Sequence, residues 1–391
     1  MPRILPFVGL LFDPARAGPL DRVTAPPYDT ITPADRDRLL EASPHNVVRL
    51  DLPDPSAPAA GGGDPYDAAA ELLERWRRQG VIVPDPRGPA LYGYEMGFTH
   101  RGRPRRVRGV IGLVELEPWG GRVLPHERTL AGAVEDRLRL LRATRANLSC
   151  VYGLVPGPRP ELAGALDRAA GSPPLVDVAD EEGVTHRLWR LDDGELPRTL
   201  AEDPFLIADG HHRYQTALRY REEMRRAHGP GPWDQVMALV VDGASEDPPV
   251  LPYHRVLVEG SPPGGGDRVR DLEEVLAELS DDDLVYGLTV RDGGELVHRV
   301  GRLEGRPPTV CALHERILDA LPQGALRYTQ DAVVAEQAVR ERRAVAAYFL
   351  PPTTAARIRA VVERGERLPE KCTFFWPKPR PGVVLRALDA P

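Results

Sequence analysis

Long apolar runs, paired cysteines and, above all, lysine and asparagine are scarce in this sequence, and each scarcity excludes something. No run of about 18 apolar residues occurs, so a membrane-spanning helix is not expected. The opening MPRILPF has neither a long apolar core nor a small-residue cleavage site, so it does not read as a secretion signal. The three cysteines, Cys150, Cys311 and Cys372, are odd in number and widely spaced. That fits a reducing, cytoplasmic setting without a disulfide framework. CxxC and HExxH spacings are missing, which leaves a zinc site unsupported. Positive charge is not in excess either: 51 Lys and Arg stand against 58 Asp and Glu, a net charge of −7. A general nucleic-acid binder would be basic, so no nucleic-acid partner is expected.

The lysine shortage is the most informative. Only two of the basic residues are lysines, Lys371 and Lys378, and only two asparagines occur, Asn46 and Asn147. With 42 prolines, 37 glycines and abundant arginine, the composition fits a GC-rich genome drifting away from Lys and Asn codons. A lysine kept in such a chain is kept either by chance or because a compact point charge with a tunable pKa is needed, which arginine does not copy.

At 391 residues the chain exceeds what one core usually holds, so two lobes are expected. Thr32-Pro33 starts a short helix over 34–41, with a capping threonine and proline at its first position. Residues 53–64 read as a Pro/Ala/Gly-rich loop and 66–78 as an amphipathic helix. Strands are expected at 90–98 and 106–116, joined as a hairpin, then at 150–155, 175–178 and 184–191. A helix falls at 134–145. A buried strand at 205–208 leads into a helix from 211 to 226, and another buried strand follows at 236–241. One helix and two strands fit 260–310, and strands at 344–350 and 383–387 close the chain. Strands and helices mix without a strict βαβ repeat, so the fold class is α+β with mixed sheets. The expected segments are 1–125, a central lobe 126–260 and a C-terminal lobe 261–391.

One segment stands out chemically. In Asp209-Gly210-His211-His212-Arg213 a buried strand ends, a glycine allows a tight turn, and a helix begins. The first helical turn presents backbone N–H groups and the positive end of the dipole, which is an anion site. Gly210 allows close approach to the backbone, and Arg213 can grip a phosphate with two bonds. Two histidines there oppose the dipole, a cost that a bound anion offsets. Asp209 reads as a helix cap, a Mg²⁺ ligand or a group that polarises a hydroxyl.

Other segments carry chemistry less specifically. His126-Glu127-Arg128-Thr129 and Glu135-Asp136-Arg137 place a carboxylate beside His and Arg. Glu127 is a candidate general base with His126 beside it, and Arg128 or Arg137 could hold a phosphoryl group; an ordinary charged helix face reads equally well. Pro26-Pro27-Tyr28-Asp29 is a rigid turn that either presents Tyr28 and Asp29 to a substrate or is structural. Asn46 and Asn147 are further substrate-binding candidates. Glu370-Lys371-Cys372-Thr373-Phe374-Phe375-Trp376-Pro377-Lys378 joins both lysines to three aromatics. It reads as phosphate neutralisation by Lys371 and Lys378 with Thr373 as a further cofactor-binding residue, as an aromatic strand docking on the core, or both. Gly61–Gly63 and Gly264–Gly266 lack the residues of a phosphate-binding P-loop.

The strings APPYD (25–29), PHNVVRL (44–50), HERT (126–129), EDRLRLLRATRANLS (135–149), ADGHHRYQTAL (208–218), LPYHRVL (251–257) and LPEKCTFFWPK (368–378) run in order over nearly the whole chain. This set resembles the bacterial and archaeal domain-of-unknown-function family 1015. Cys372 stands where the family pattern has Ser. The DGHHR string is also similar to the motif of free L-serine kinases of the ParB/sulfiredoxin-like group. That likeness implies that residues 209–213 bind nucleotide phosphates and that a carboxylate, here Glu127, acts as base. The expected activity is phosphorylation of a small hydroxylated metabolite, L-serine first, from ATP, ADP or pyrophosphate with Mg²⁺ held by Asp209. The alternatives are a non-catalytic sensor of nucleotides or phospho-metabolites and a phosphate-ester hydrolase. The expected partners are small molecules, and a homodimer is compatible with the sequence.

Overall fold

A computed structural model describes residues 3–53, 63–127, 129–191, 196, 204–322 and 324–388. The chain divides into two compact units. The first comprises residues 1–125, 129–247 and 377–391; the second comprises 126–128 and 248–376.

The first unit is built on a nine-stranded mixed sheet. Its strands are β1 (Ile4–Leu5), β2 (Leu91–His100), β3 (Arg103–Glu115), β4 (Val123–Leu124), β5 (Val151–Val155), β6 (Val176–Ala179), β7 (Thr185–Leu191), β8 (Phe205–Asp209) and β9 (Gln235–Asp242). The order is β4–β8–β5–β9–β3–β2–β7–β6, with β1 added on β3. The β2–β3 hairpin is the one expected from sequence, turned by Arg101 and Gly102, both at positive φ. Strand β9 is the seam: it runs antiparallel to β3 (Val240 opposite Val110) and parallel to β5 (Leu239 opposite Tyr152). This pairing explains why the expected boundary at 125/126 does not separate two lobes. Central-segment strands share one sheet, and one apolar core, with the N-terminal hairpin.

Helices α1 (Pro33–Ala42), α2 (Pro65–Arg78), α3 (Ala131–Thr144), α4 (Pro160–Ala170) and α5 (His211–His228) belong to this unit. Thr32 caps α1 through a reciprocal capping box with Asp35, with proline in the first turn. Tyr66, Ala69, Leu73 and Trp76 form the buried stripe of α2.

The second unit holds a six-stranded sheet and its own core. Its strands are β10 (His254–Leu257), β11 (Asp267–Val269), β12 (Val285–Asp292), β13 (Glu295–Arg302), β14 (Leu326–Thr329) and β15 (Ala346–Phe349). The order is β11–β13–β12–β15–β10–β14. Helices α6 (Leu272–Glu278), α7 (Ala332–Arg340) and α8 (Ala355–Glu363) complete it. The molecule is therefore α+β with mixed sheets. The region 260–310 carries β11 in addition to the two strands expected, because its exposed residues show no apolar alternation. Among the described residues no helix is long and apolar enough to cross a membrane.

Candidate active site

Strand β8 is buried from Phe205 to Ala208, as four consecutive apolar residues in mid-sheet require. Gly153 on β5 makes room for it: a side chain there would meet the Phe205 ring at 2.2 Å. The β8–β5 register slips between Ile207 and Asp209, an irregularity that re-aims Asp209 at the strand's end. Gly210 then adopts the left-handed region at φ 91°, ψ 30°, and α5 begins. The helix's own hydrogen bonds start with Tyr214 N–H to Gly210 O at 2.9 Å, so earlier donors lie at the helix's N-terminus.

Arg213 folds back over this turn. One terminal nitrogen donates to Asp209 Oδ2 and the other to the Cys150 carbonyl. A side chain on Gly210 would approach the Arg213 guanidinium to 3.1 Å. The second oxygen of Asp209 is 2.6 Å from Lys378 Nζ, and the same ammonium lies 3.4 Å from Asp29 Oδ2. One carboxylate at the helix N-terminus thus holds an arginine and a lysine. Lys378 is thereby brought to the turn.

A second polar layer adjoins this cluster. Arg137 on α3 is buried, donates to the Asp51 carbonyl at 2.6 Å and to Asp136 Oδ2 at 2.7 Å, and stacks 4.2 Å over the Tyr28 ring. Burial, with the Asp29 charge beside it, pushes the Tyr28 hydroxyl up to about 12. Asp51 is raised mainly by desolvation, and Arg137 opposes that shift. Four carboxyl groups, Asp29, Asp51, Asp136 and Asp209, thus stand among three basic side chains, Arg137, Arg213 and Lys378.

The other turn residues are placed as follows. His211 is buried, and His212 Nε2 accepts the Leu130 N–H at 3.0 Å, tying the start of α5 to the start of α3. Asn46 is fully buried and spent on backbone: its amide donates to the Arg22 and Thr24 carbonyls and its oxygen accepts the Val48 N–H. Asn147 Oδ1 accepts from the Met237 N–H and from Arg386. Arg128 lies outside the described residues.

His126, Glu127, Lys371 and Thr373 come together within the second unit. Glu127 pairs by a backbone bridge with Leu368, and its carboxylate accepts the Lys371 N–H at 2.9 Å. His126 Nε2 and Thr373 Oγ1 are 2.6 Å apart, and the imidazole packs edge-on to Phe375. Arg255, fully buried, shapes this segment by donating to the Lys371 and Glu370 carbonyls at 3.1 and 3.2 Å. The Cys372 thiol is buried and pushed up by desolvation and then by Glu127, which is the opposite of an activated thiolate.

Sequence reasoning missed Asp51 and Arg380. Asp51 carries no local signal. Arg380 bonds Thr24 Oγ1 through Nε at 2.8 Å and Glu181 through both terminal nitrogens at 3.1 Å, while its backbone N–H donates to Tyr94 OH at 3.0 Å. Tyr94 OH in turn bonds His186 Nδ1 at 2.7 Å, and His186 Nε2 bonds Asp180 at 3.2 Å. This buried chain fixes the backbone two residues beyond Lys378.

Similar structures are distant. A free serine kinase in complex with AMP is 13% identical over 65% of this chain and 83% of its own, with a TM-score of 0.37. A conserved hypothetical protein from Pyrococcus furiosus is 14% identical over 65% and 86%, with a TM-score of 0.35. A C-terminally truncated SbnI from Staphylococcus aureus is 13% identical over 69% and 85%, with a TM-score of 0.34. No curated protein matches. A family model described as "Protein of unknown function (DUF1015)" matches residues 4–296. The chain therefore belongs to the DUF1015 family.

Proposed function

We propose that the protein is a phosphotransferase that moves a phosphoryl group from a nucleotide or pyrophosphate to the hydroxyl of a small metabolite, L-serine being the first acceptor to test. The observation that carries this reading is the convergence of Arg213 and Lys378 on Asp209 at the N-terminus of α5, over a left-handed glycine. Backbone donors, a helix dipole, a forked guanidinium and a compact ammonium are the parts that cradle phosphates. The similarity of the DGHHR string to that of free serine kinases supports L-serine as the first acceptor to test.

Phosphoryl transfer asks a protein mainly to position reactants and neutralise charge. Arg213, Lys378, Gly210 and His211 would hold the donor phosphates, with Arg137 behind them. Asp209 and Asp29, two carboxylates already sharing one cation, offer the hard oxygen donors that Mg²⁺ takes. Bound there, Mg²⁺ would offset phosphoryl charge. Glu127 is the proposed base, taking the acceptor's hydroxyl proton as the oxygen attacks phosphorus and the donor's bridging P–O bond breaks. A reducing, cytoplasmic setting fits the three free cysteines.

The test incubates the protein with L-serine, Mg²⁺ and ATP, ADP or pyrophosphate and looks for O-phosphoserine. Product with at least one donor, abolished by Asp209→Asn and by Glu127→Gln, is expected. Folded protein that yields none with any donor overturns the kinase reading. Phosphate release without an acceptor would make it a hydrolase, and saturable nucleotide binding without turnover a sensor.

A further inference from the structure

Tyr28–Thr30 form a short 3₁₀ turn in the first unit, closed by the Thr30 N–H and hydroxyl, which both donate to the Pro27 carbonyl, at 2.9 and 2.8 Å. Pro26 and Pro27 stiffen the approach to it. The turn sends two neighbouring side chains to different partners. Asp29 reaches Lys378 Nζ at 3.4 Å, and the Tyr28 ring lies under the Arg137 guanidinium at 4.2 Å. Arg137 is itself held. It donates to Asp136 Oδ2 at 2.7 Å and to the Asp51 carbonyl at 2.6 Å, and Tyr66 OH on α2 donates to the other oxygen of Asp136 at 2.5 Å.

The two contacts are unequal. The Asp29 side chain is 27% exposed, and an ion pair of that length with a carboxylate open to water adds little. Arg137 is 6% exposed, and a cation stacked on a ring away from water is attracted more strongly. Burial, and then the charge of Asp29, push the Tyr28 hydroxyl up to about 12, so Tyr28 offers Arg137 a ring face and no phenolate. We propose that Tyr28 is a positioning residue: the face of its ring, clamped by Arg137, sets the 28–30 turn so that Asp29 shares Lys378 with Asp209. Tyr28 acts through Asp29, and its hydroxyl takes no part. The inference rests on the phosphotransferase reading only where that reading makes Asp29 and Asp209 the carboxylates for Mg²⁺. In that role the clamp orients a metal ligand, and losing such an orienting partner weakens metal binding by about ten- to a hundredfold.

The experiment takes two readouts from the full-length protein. Mn²⁺, which suits the same oxygen ligands as Mg²⁺, is titrated alone, and its free form is followed by electron paramagnetic resonance. Acetylation of Lys378 by a limiting active ester is followed by mass spectrometry against Lys371, the only other lysine of the chain. Tyr28→Phe keeps the ring and should match the wild type in both. Tyr28→Leu should bind Mn²⁺ about tenfold more weakly and label Lys378 several-fold faster, as Asp29 leaves the ammonium. Should the leucine variant fail to fold, Tyr28→Met takes its place. A Tyr28→Leu protein that melts lower but labels and binds as the wild type does would make Tyr28 merely structural and overturn the proposal. Tyr28→Phe as impaired as Tyr28→Leu would give the role to the hydroxyl and overturn it too. A wild type that binds no Mn²⁺ removes the metal assignment of Asp29 and Asp209, and the labelling of Lys378 then decides the clamp. Mn²⁺ binding lost in Asp29→Asn but intact in Tyr28→Leu keeps the metal site and sinks the clamp.

Discussion

Asp209 holds two cations at once, and that fixes what its replacement should do. Asp209→Asn keeps the shape but removes the charge that binds Lys378 and Arg213. Activity should fall by about a hundredfold or more, as when a preorganised charge contact is lost; full activity in a folded variant would remove Asp209 from the site. Arg213→Lys should be nearly as severe, because a single ammonium cannot reach Asp209 and the Cys150 carbonyl together. A different residue-scale effect concerns stability. Burial, with Arg255 adjoining each, lowers His254 and His314 from 6.5 to about 4. Asp331 opposes the shift at His254 and Asp319 opposes it at His314. A histidine lowered in the fold takes its proton first in the unfolded chain, so its stabilisation is complete above pH 6.5 and is lost as the pH falls toward 4. Thermal unfolding should therefore drop steeply over that window, by a free energy on the order of a few kcal/mol. A flat melting temperature from pH 7 to 4 would contradict it.

At the scale of elements, the strand–turn–helix unit depends on Gly210. Gly210→Ala should cost about 1–2 kcal/mol for the left-handed backbone. It would also press a methyl against the Arg213 guanidinium, so both melting temperature and nucleotide affinity should fall. The C-terminal strap is the second such element. Tyr94→Phe deprives the buried Arg380 N–H of its acceptor and should cost about 1–3 kcal/mol. Arg380 also bonds Thr24, five residues before Asp29, so Tyr94→Phe should weaken ADP binding as well as stability. A variant that loses stability alone would make this chain purely structural. The strand–turn–helix unit was legible because its signals are local: a four-residue apolar run, then Asp-Gly, then helical spacing. Lys378 was legible only as a rare residue, since its contact with Asp209 spans 169 positions. Rarity does not disclose role, as Asn46 shows: its amide brackets backbone. Asp51 gave no signal because its partner, Arg137, is 86 residues away.

At the scale of the whole molecule, the chain leaves the first unit for residues 126–128, returns at 129, and leaves again from 248 to 376. Sequence order could not reveal this, because β9 joins the N-terminal hairpin through pairing with β3, more than a hundred residues away. The two excursions bring His126 and Glu127 against 368–373 within the second unit. On the proposed reading, Glu127→Gln should lower kcat and leave ADP affinity intact, since the donor phosphates are assigned to the 209–213 turn. The most direct measurement is a crystal structure of the full-length protein with ADP and Mg²⁺ bound. It should place phosphate oxygens within hydrogen-bond reach of Arg213, Lys378 and the first backbone N–H groups of α5. Phosphates bound elsewhere, with this turn unoccupied, would contradict the account.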